Sequence, residues 1–423
     1  MKKVLIISYY WPPFGGSGVQ RWLKFVKYLP ENRWLPFVYT PENPFFGVDD
    51  ATLLKDIPNE VEIWKTPIWE PYALKEKLFG KGEKNQSAGV IANKISFKNR
   101  LLNWVRGNMF IPDPKVYWVR PSIDFLFNKI KEEGIEYIIT TGPPHSMHLI
   151  GLGLKRIMPD LKWIVDFRDP WSELDLLDEF SLTYISRRKH QKMEREVLEN
   201  SDIALTVSES WANDLKRLGA KNVELITNGY DIDDFQINSI KGDKFIIGHY
   251  GLLNHLRNPR QLWKALDCLC KENSDFNEKL EIHLSGNIDV HVLEEIKSYP
   301  LLLSKVKQLG YIPHNQIIER YHQASVLLLL LFNSKSGLGN YPAKIFEYFA
   351  VKKPILAFGP KNSDVERLMQ STDSGIYYSY NDKEIRDGIL TLFEKKHNFK
   401  FENTERFSRK RLTEELTALL NNI

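Results

Sequence analysis

The first forty residues constrain the fold more than any other stretch. Val4 to Ser8 reads as a strand buried on both faces, the kind a parallel sheet covered by helices requires. A loop from Tyr9 to Ser17 follows. Val19, Trp22, Leu23, Val26 and Leu29 then recur with helical period, Pro30 closes that helix, and Pro36 to Thr40 supplies a second strand. Strand, helix and strand in so short a span make one βαβ unit of a doubly wound sheet.

The alternation continues. Strands are predicted at Ile135 to Thr140, Lys162 to Phe167, Ile203 to Val207 and Val223 to Ile226, with helices at Ser146 to Ile157, Arg187 to Asn200 and Trp211 to Leu218. Thr227-Asn228-Gly229-Tyr230-Asp231 carries turn chemistry, and the stretch on to Asp243 is polar without an apolar period. A second alternation follows, with strands at Phe245 to His249, Glu281 to Ser285, Val306 to Leu309, Val326 to Phe332, Pro354 to Phe358 and Ile376 to Tyr378. The segment Glu405 to Leu420 gathers Phe407, Leu412, Leu416, Leu419 and Leu420 on one helical face. A chain of 423 residues exceeds what one core ordinarily holds. The expected fold class is therefore α/β, with two Rossmann-like domains facing across a cleft. The expected division is an N-terminal domain over 1–228, a linker over 229–243, a C-terminal domain over 244–404, and a helix over 405–423 packing back on the N-domain.

Composition excludes several classes of protein. With 43% hydrophobic and 26% charged residues, both halves should fold. Cys268 and Cys270 lie in an apolar context whose spacing suits neither a zinc site nor a disulfide framework, so they read as small buried helix residues. The longest apolar run, Val326 to Phe332, has the length of a buried strand and not of a membrane span, and a cytoplasmic protein is expected. A net charge of +4 does not imply nucleic acid. The charge is nevertheless uneven: residues 74–120 hold ten Lys or Arg against three acids, interleaved with Leu78, Phe79, Leu101, Trp104 and Phe110. Such a stretch suits either an anionic membrane surface, giving peripheral attachment at the inner face of the plasma membrane, or an ordinary solvated helix face.

Candidate site residues fall where predicted strands end. Gly15, Gly16 and Gly18 stand between the first strand and helix, as a packing turn or as a contact for phosphate or sugar. Their spacing is not G-x-G-x-x-G, and Glu42 only loosely imitates a ribose-binding acid. After the strongest strand come Asn340, Tyr341, Pro342, Lys344 and Glu347. Pro342 suits the first turn of a helix whose free amides would face a diphosphate, and Lys344 and Glu347 share one helical face. They form either a nucleotide clamp, with Glu347 on the ribose hydroxyls, or an exposed ion pair. Gly251 ends the first strand of the second half, and Arg257 a few residues on is a candidate for a leaving diphosphate or a surface salt bridge. In the first half, Asp166, Arg168 and Asp169 end one strand as an internal ion-pair cluster or as the acceptor-hydroxyl contact and proton acceptor. His145 ends another and can titrate near neutrality, whereas His148 can be merely packed.

Taken together, Pro12-Pro13 with Gly15 to Gly18, Asp166 to Trp171, Thr227 to Asp231, Arg257-Asn258-Pro259 and Pro342 to Ala350 resemble family 4 of the retaining glycosyltransferases over essentially the full length. The resemblance implies the GT-B fold, a metal-independent transferase, a UDP- or GDP-type sugar donor and no covalent intermediate. It also implies a role in surface polysaccharide, O-antigen or capsule assembly, often on lipid-linked saccharide acceptors. The chain departs from the family pattern in two places. Glu347 matches the second of two glutamates whose first position is here Gly339, and Arg168 and Asp169 stand where a histidine is common. The expected activity moves a sugar from a nucleotide donor held by Glu347, Arg257 and Lys344 to an acceptor oriented by Asp169, Arg168 and His145. A nucleotide-sugar epimerase of the same architecture and a non-catalytic nucleotide-sugar-binding scaffold are the alternatives. A dehydrogenase leaves the second half unexplained.

Overall fold

The computed structural model describes residues 1–45, 50–71, 97–235 and 242–423. They divide into two units, Met1–Thr227 with Arg409–Ile423, and Asn228–Ser408. Of the stretch expected as a linker, residues 229–235 and 242–243 fall in the second unit and 236–241 lie outside the described residues. Tyr230 N–H bonds to the Phe407 carbonyl at 3.1 Å, and Tyr230, Phe235 and Phe407 share one core.

Seven parallel strands form the first sheet: β1 (Lys2–Ile7), β2 (Trp34–Pro41), β3 (Glu62–Thr66), β4 (Tyr137–Gly142), β5 (Lys162–Phe167), β6 (Ile203–Thr206) and β7 (Val223–Leu225). Their order is β3-β2-β1-β4-β5-β6-β7. Side chains alternate between faces, so Val4 and Ile6 enter one core while Leu5 and Ile7 enter the other. That division explains the unbroken apolar run of β1, which no water touches on either face. The first core takes Leu126 and Ile130 from the helix Val119–Glu133 and Ile150 and Leu154 from the helix Ser146–Ile157. The second takes Val19, Trp22, Leu23 and Val26 from the helix Ser17–Tyr28, and Leu412, Leu416 and Leu420 from the helix Arg409–Asn421. The terminal helix therefore belongs to the first unit. Its start differs from the expected one, since Thr404–Phe407 forms a separate 3-10 turn.

The second unit repeats the pattern with β8 (Phe245–Tyr250), β9 (Leu280–Ser285), β10 (Val306–Gly310), β11 (Val326–Leu330), β12 (Ile355–Gly359) and β13 (Gly375–Ser379). Their order is β10-β9-β8-β11-β12-β13. Leu328 and Leu330 face one core and Leu327 and Leu329 the other, as in β1. In both sheets the strand order reverses beside the first strand, and the carboxyl ends of β1 and β4, and of β8 and β11, are where a doubly wound sheet receives ligands. Cys270 is buried and Cys268 half-buried on the helix Arg260–Glu272, both as free thiols.

One charged network braces the first unit. Arg21 is buried and donates to Asp166 through Nε at 3.2 Å and Nη2 at 2.9 Å, to the Ile226 carbonyl at 2.9 Å and to the Thr227 carbonyl at 2.8 Å. The other Asp166 oxygen accepts from Trp22 Nε1 at 2.7 Å and Thr141 Oγ1 at 2.8 Å. Four segments distant in sequence meet at this one carboxylate and its partner guanidinium. Replacing Asp166 with Ala strands the buried guanidinium and should cost about 3–5 kcal/mol of stability, measured by urea unfolding. A loss below about 1 kcal/mol would show that the network is not a brace.

Candidate functional site

In the first unit the predicted residues gather at the carboxyl ends of β1, β4 and β5. Gly16 precedes the helix Ser17–Tyr28 at φ 101, a backbone state that glycine adopts without a side-chain clash. Gly15 is buried beside it, and Gly18 lies in the first helical turn under Tyr10 and Arg168. Arg168 does not reach out to a ligand. Its guanidinium donates to the Gly18 carbonyl at 3.0 Å, the Gly142 carbonyl at 3.2 Å and the Pro143 carbonyl, tying three loops together.

The two carboxylates of the cluster separate by environment. Asp166 is inside β5, fully buried, with its oxygens filled by Arg21, Trp22 and Thr141. It is a structural anchor and not the acceptor contact. Asp169 lies beyond the strand end, half-buried, where burial raises its carboxyl to about 6 against the opposing charge of Arg168. That is the range in which a carboxylate is ionised at neutral pH yet able to take a proton. It lines a cavity of about 20 Å³ with Glu173, Glu194, Trp211 and Asp214.

His145 departs from expectation. Its ring stacks on Trp171 with centroids 4.9 Å apart and planes 5° from parallel, and neither ring nitrogen has a well-formed hydrogen bond. Burial, with the nearby His148 and Arg168, holds its pKa well below the ordinary imidazole range. His145 is therefore a neutral packing partner at physiological pH. His148 is likewise buried, with Thr140 Oγ1 2.9 Å from its Nδ1 and burial pushing it down to about 3. The supports of Trp171 escaped the sequence reading. Its Nε1 donates to His190 at 3.1 Å, and Glu194, raised by burial to about 7, accepts from Ser172 N–H at 3.1 Å. Both supports lie on the helix Tyr184–Asn200, whose dense surface charge hides its buried face.

In the second unit the residues expected to hold the donor come together around the end of β8. The helix Ala343–Val351 starts after β11, with Pro342 as its cap and not in its first turn. Asn340 lies in the loop before it. Lys344 bends back so that its ammonium rests on Gly251 at the end of β8, where a Cβ would lie 1.9 Å from Nζ. A side chain at 251 would oblige the Lys344 ammonium to move. Burial pushes Lys344 down to about 8, with Glu347 opposing and Arg257 adding to the depression. Arg257 is likewise desolvated and lowered to about 10, its guanidinium carbon 3.6 Å from the Phe332 ring centroid. Among the described residues neither cation has a carboxylate at ion-pair distance. Glu347 accepts from the buried Tyr321 hydroxyl at 2.8 Å, a partner the sequence did not suggest. His249 is buried between the Leu328 and Leu252 carbonyls and depressed to about 4, so it adds no charge. Two desolvated cations with no carboxylate at ion-pair distance among the described residues, beside the first amides of a helix, make this a candidate anion site. Among the described residues no group of three His, Cys, Asp or Glu side chains is placed to hold a metal ion.

Two parallel sheets of this order are the GT-B fold of glycosyltransferases. A glycosyltransferase from Rickettsia africae aligns with a TM-score of 0.64 at 13% identity, over 100% of this chain and 98% of that one. HepE of Anabaena in complex with UDP aligns at 0.60 and 14%, over 100% of both chains. Sucrose-phosphate synthase of Thermosynechococcus elongatus aligns at 0.61 and 13%, over 100% and 99%. The sequence itself matches the family Glycosyl transferases group 1 over residues 231–411, which is nearly the whole second unit. No curated protein matches it.

The depressed lysine gives a signed pH dependence. Lys344 is fully charged well below pH 8 and loses its proton as pH rises through about 8. An anion bound beside it restores the proton, so diphosphate affinity should fall between pH 7 and 9 and binding at pH 8 should take up protons. Calorimetry in buffers of different ionisation heat reads that uptake, and Lys344→Met should abolish it. Proton-neutral binding by the wild type would remove Lys344 from the site.

Proposed function

We propose that this chain transfers a sugar from a UDP- or GDP-type donor to a saccharide or lipid-linked saccharide acceptor. In this reading it is a retaining, metal-independent member of family 4 serving cell-surface polysaccharide assembly. The observation that carries the reading is the pair of desolvated cations, Arg257 and Lys344, with no carboxylate at ion-pair distance among the described residues, at the point where the second sheet reverses its order. A diphosphate supplies the missing charge, and the negative charge that grows on it as the sugar leaves is stabilised by groups already in place. Glu347 takes the ribose hydroxyls, and Asp169 serves the acceptor hydroxyl in the first unit. The UDP in the HepE structure agrees with such a donor. Attachment to the inner face of the plasma membrane through residues 74–120 belongs to the same proposal. Within that stretch the helix Phe97–Met109 exposes Leu101, Trp104 and Met109, while residues 72–96 lie outside those described. No described helix is long and apolar enough to cross a membrane.

Glu347→Ala tests the donor assignment. It deprives the buried Tyr321 hydroxyl of its acceptor, at about 1–3 kcal/mol, so the chain stays folded with a lower melting midpoint. Nucleotide affinity should drop at least about tenfold, the loss of one good charge-assisted contact. Calorimetry with UDP, GDP and their sugars reads both the loss and the base preference, and unchanged affinity would sink the clamp. Conversion of the donor sugar without an acceptor would instead identify an epimerase. Binding without turnover on any acceptor would identify a scaffold.

A further inference from the structure

Arg257 is held in an unusual way for a charged residue at a strand-end loop. It closes the 3-10 turn His255–Arg257, and its side chain makes no ion pair or hydrogen bond with the described residues. Its guanidinium lies over the face of Phe332, 3.6 Å from ring centroid to guanidinium carbon. Phe332 in turn is fixed on both sides by backbone. Leu331 N–H bonds to the Phe358 carbonyl at 2.9 Å, Tyr380 Oη donates to the Leu331 carbonyl at 2.7 Å, and Asn333 N–H reaches the Leu256 carbonyl at 3.3 Å. Gly337 presses against the Phe332 carbonyl, where a Cβ would lie 2.0 Å away. The last of those bonds joins the Phe332 segment to the segment that carries Arg257.

We propose that Phe332 is a positioning residue for the anion site: its ring is a rigid shelf that fixes the plane of the Arg257 guanidinium and leaves the N–H edge of that plane for a diphosphate. The inference rests on the donor reading of the same site. An aromatic face stabilises the cation without neutralising it, which a carboxylate partner would not do. It also removes the rotamer freedom that a long side chain would otherwise lose on binding. Leucine or methionine at this position fills similar space without a quadrupole, whereas tyrosine keeps the face.

The test is a mutant cycle read by calorimetry with inorganic pyrophosphate, UDP and GDP. Phe332→Leu should weaken diphosphate binding by about 3- to 30-fold, the range of a desolvated cation–π contact, and Phe332→Tyr should restore it. In an Arg257→Ala background Phe332→Leu should have no further effect, whereas in a Lys344→Met background its full effect should persist. A merely structural role would give the same loss in both backgrounds and would overturn the proposal. If Phe332→Leu lacks a cooperative melt, Phe332→Met takes its place in the same cycle. Diphosphate binding by the wild type with no loss in either variant overturns the shelf and leaves the donor reading standing. Absence of binding by the wild type overturns both.

Discussion

A parallel sheet delivers every one of its strand ends to the same edge, and the chemistry of this chain follows from that constraint. Right-handed crossovers force each strand to run the same way, so the loops that follow strands emerge together. Where the order reverses, successive loops turn to opposite faces and leave backbone amides and short side chains uncovered. In the first unit the reversal lies between β1 and β4, and Gly15 to Gly18 and Gly142 to His145 stand there. In the second it lies between β8 and β11, and Gly251 and the approach to Lys344 stand there.

The two edges handle charge in opposite ways. In the first unit nearly every buried charge is matched internally: Arg21 by Asp166 and two carbonyls, Arg168 by three carbonyls. The cluster that looked reactive in sequence is mostly a brace, and only Asp169, beyond the strand end, keeps a perturbed carboxyl near the range of function. In the second unit Arg257 and Lys344 are desolvated and face one another's field without relief from a carboxylate at contact. Burying charge in that fashion costs stability. Strain of this sort collects where a ligand removes it.

Most of the architecture was legible because buried strands of parallel sheets are written as unbroken apolar runs, as in Val4 to Ile7 and Val326 to Leu330. The short edge strand β3 was not, since Glu62–Thr66 buries only Trp64 and so carries no strong pattern. Gly251, Arg257, Lys344 and Glu347 were legible for a related reason, because each follows a strand whose end is evident. Environment was harder to read than position. Nothing near His145 in sequence shows that Trp171 stacks on it and that burial keeps it neutral. Asp166 and Asp169 are three residues apart, yet one is inside β5 and the other past its end. The partner that fixes the role of Asp166 is 145 residues away in sequence. Phe332 was hidden by its own hydrophobicity, since it reads as the last residue of an apolar strand that in fact ends at Leu330.

The choice of arginine at one cation and lysine at the other is physically consistent with their surroundings. Desolvation brings Arg257 down to about 10, which leaves it charged at any physiological pH, and its flat guanidinium can lie on a ring. The compact ammonium of Lys344 fits the small space that Gly251 leaves, but a lysine so buried falls to about 8. In the proposed site the grip on an anion would therefore have one part that pH does not touch and one part that weakens in mild alkali. The amides at the start of the helix Ala343–Val351 carry no titratable proton and add a third, constant part. Exchanging the two residue types would bring a larger, forked guanidinium to the place where Gly251 receives an ammonium, and would set an ammonium over the Phe332 face.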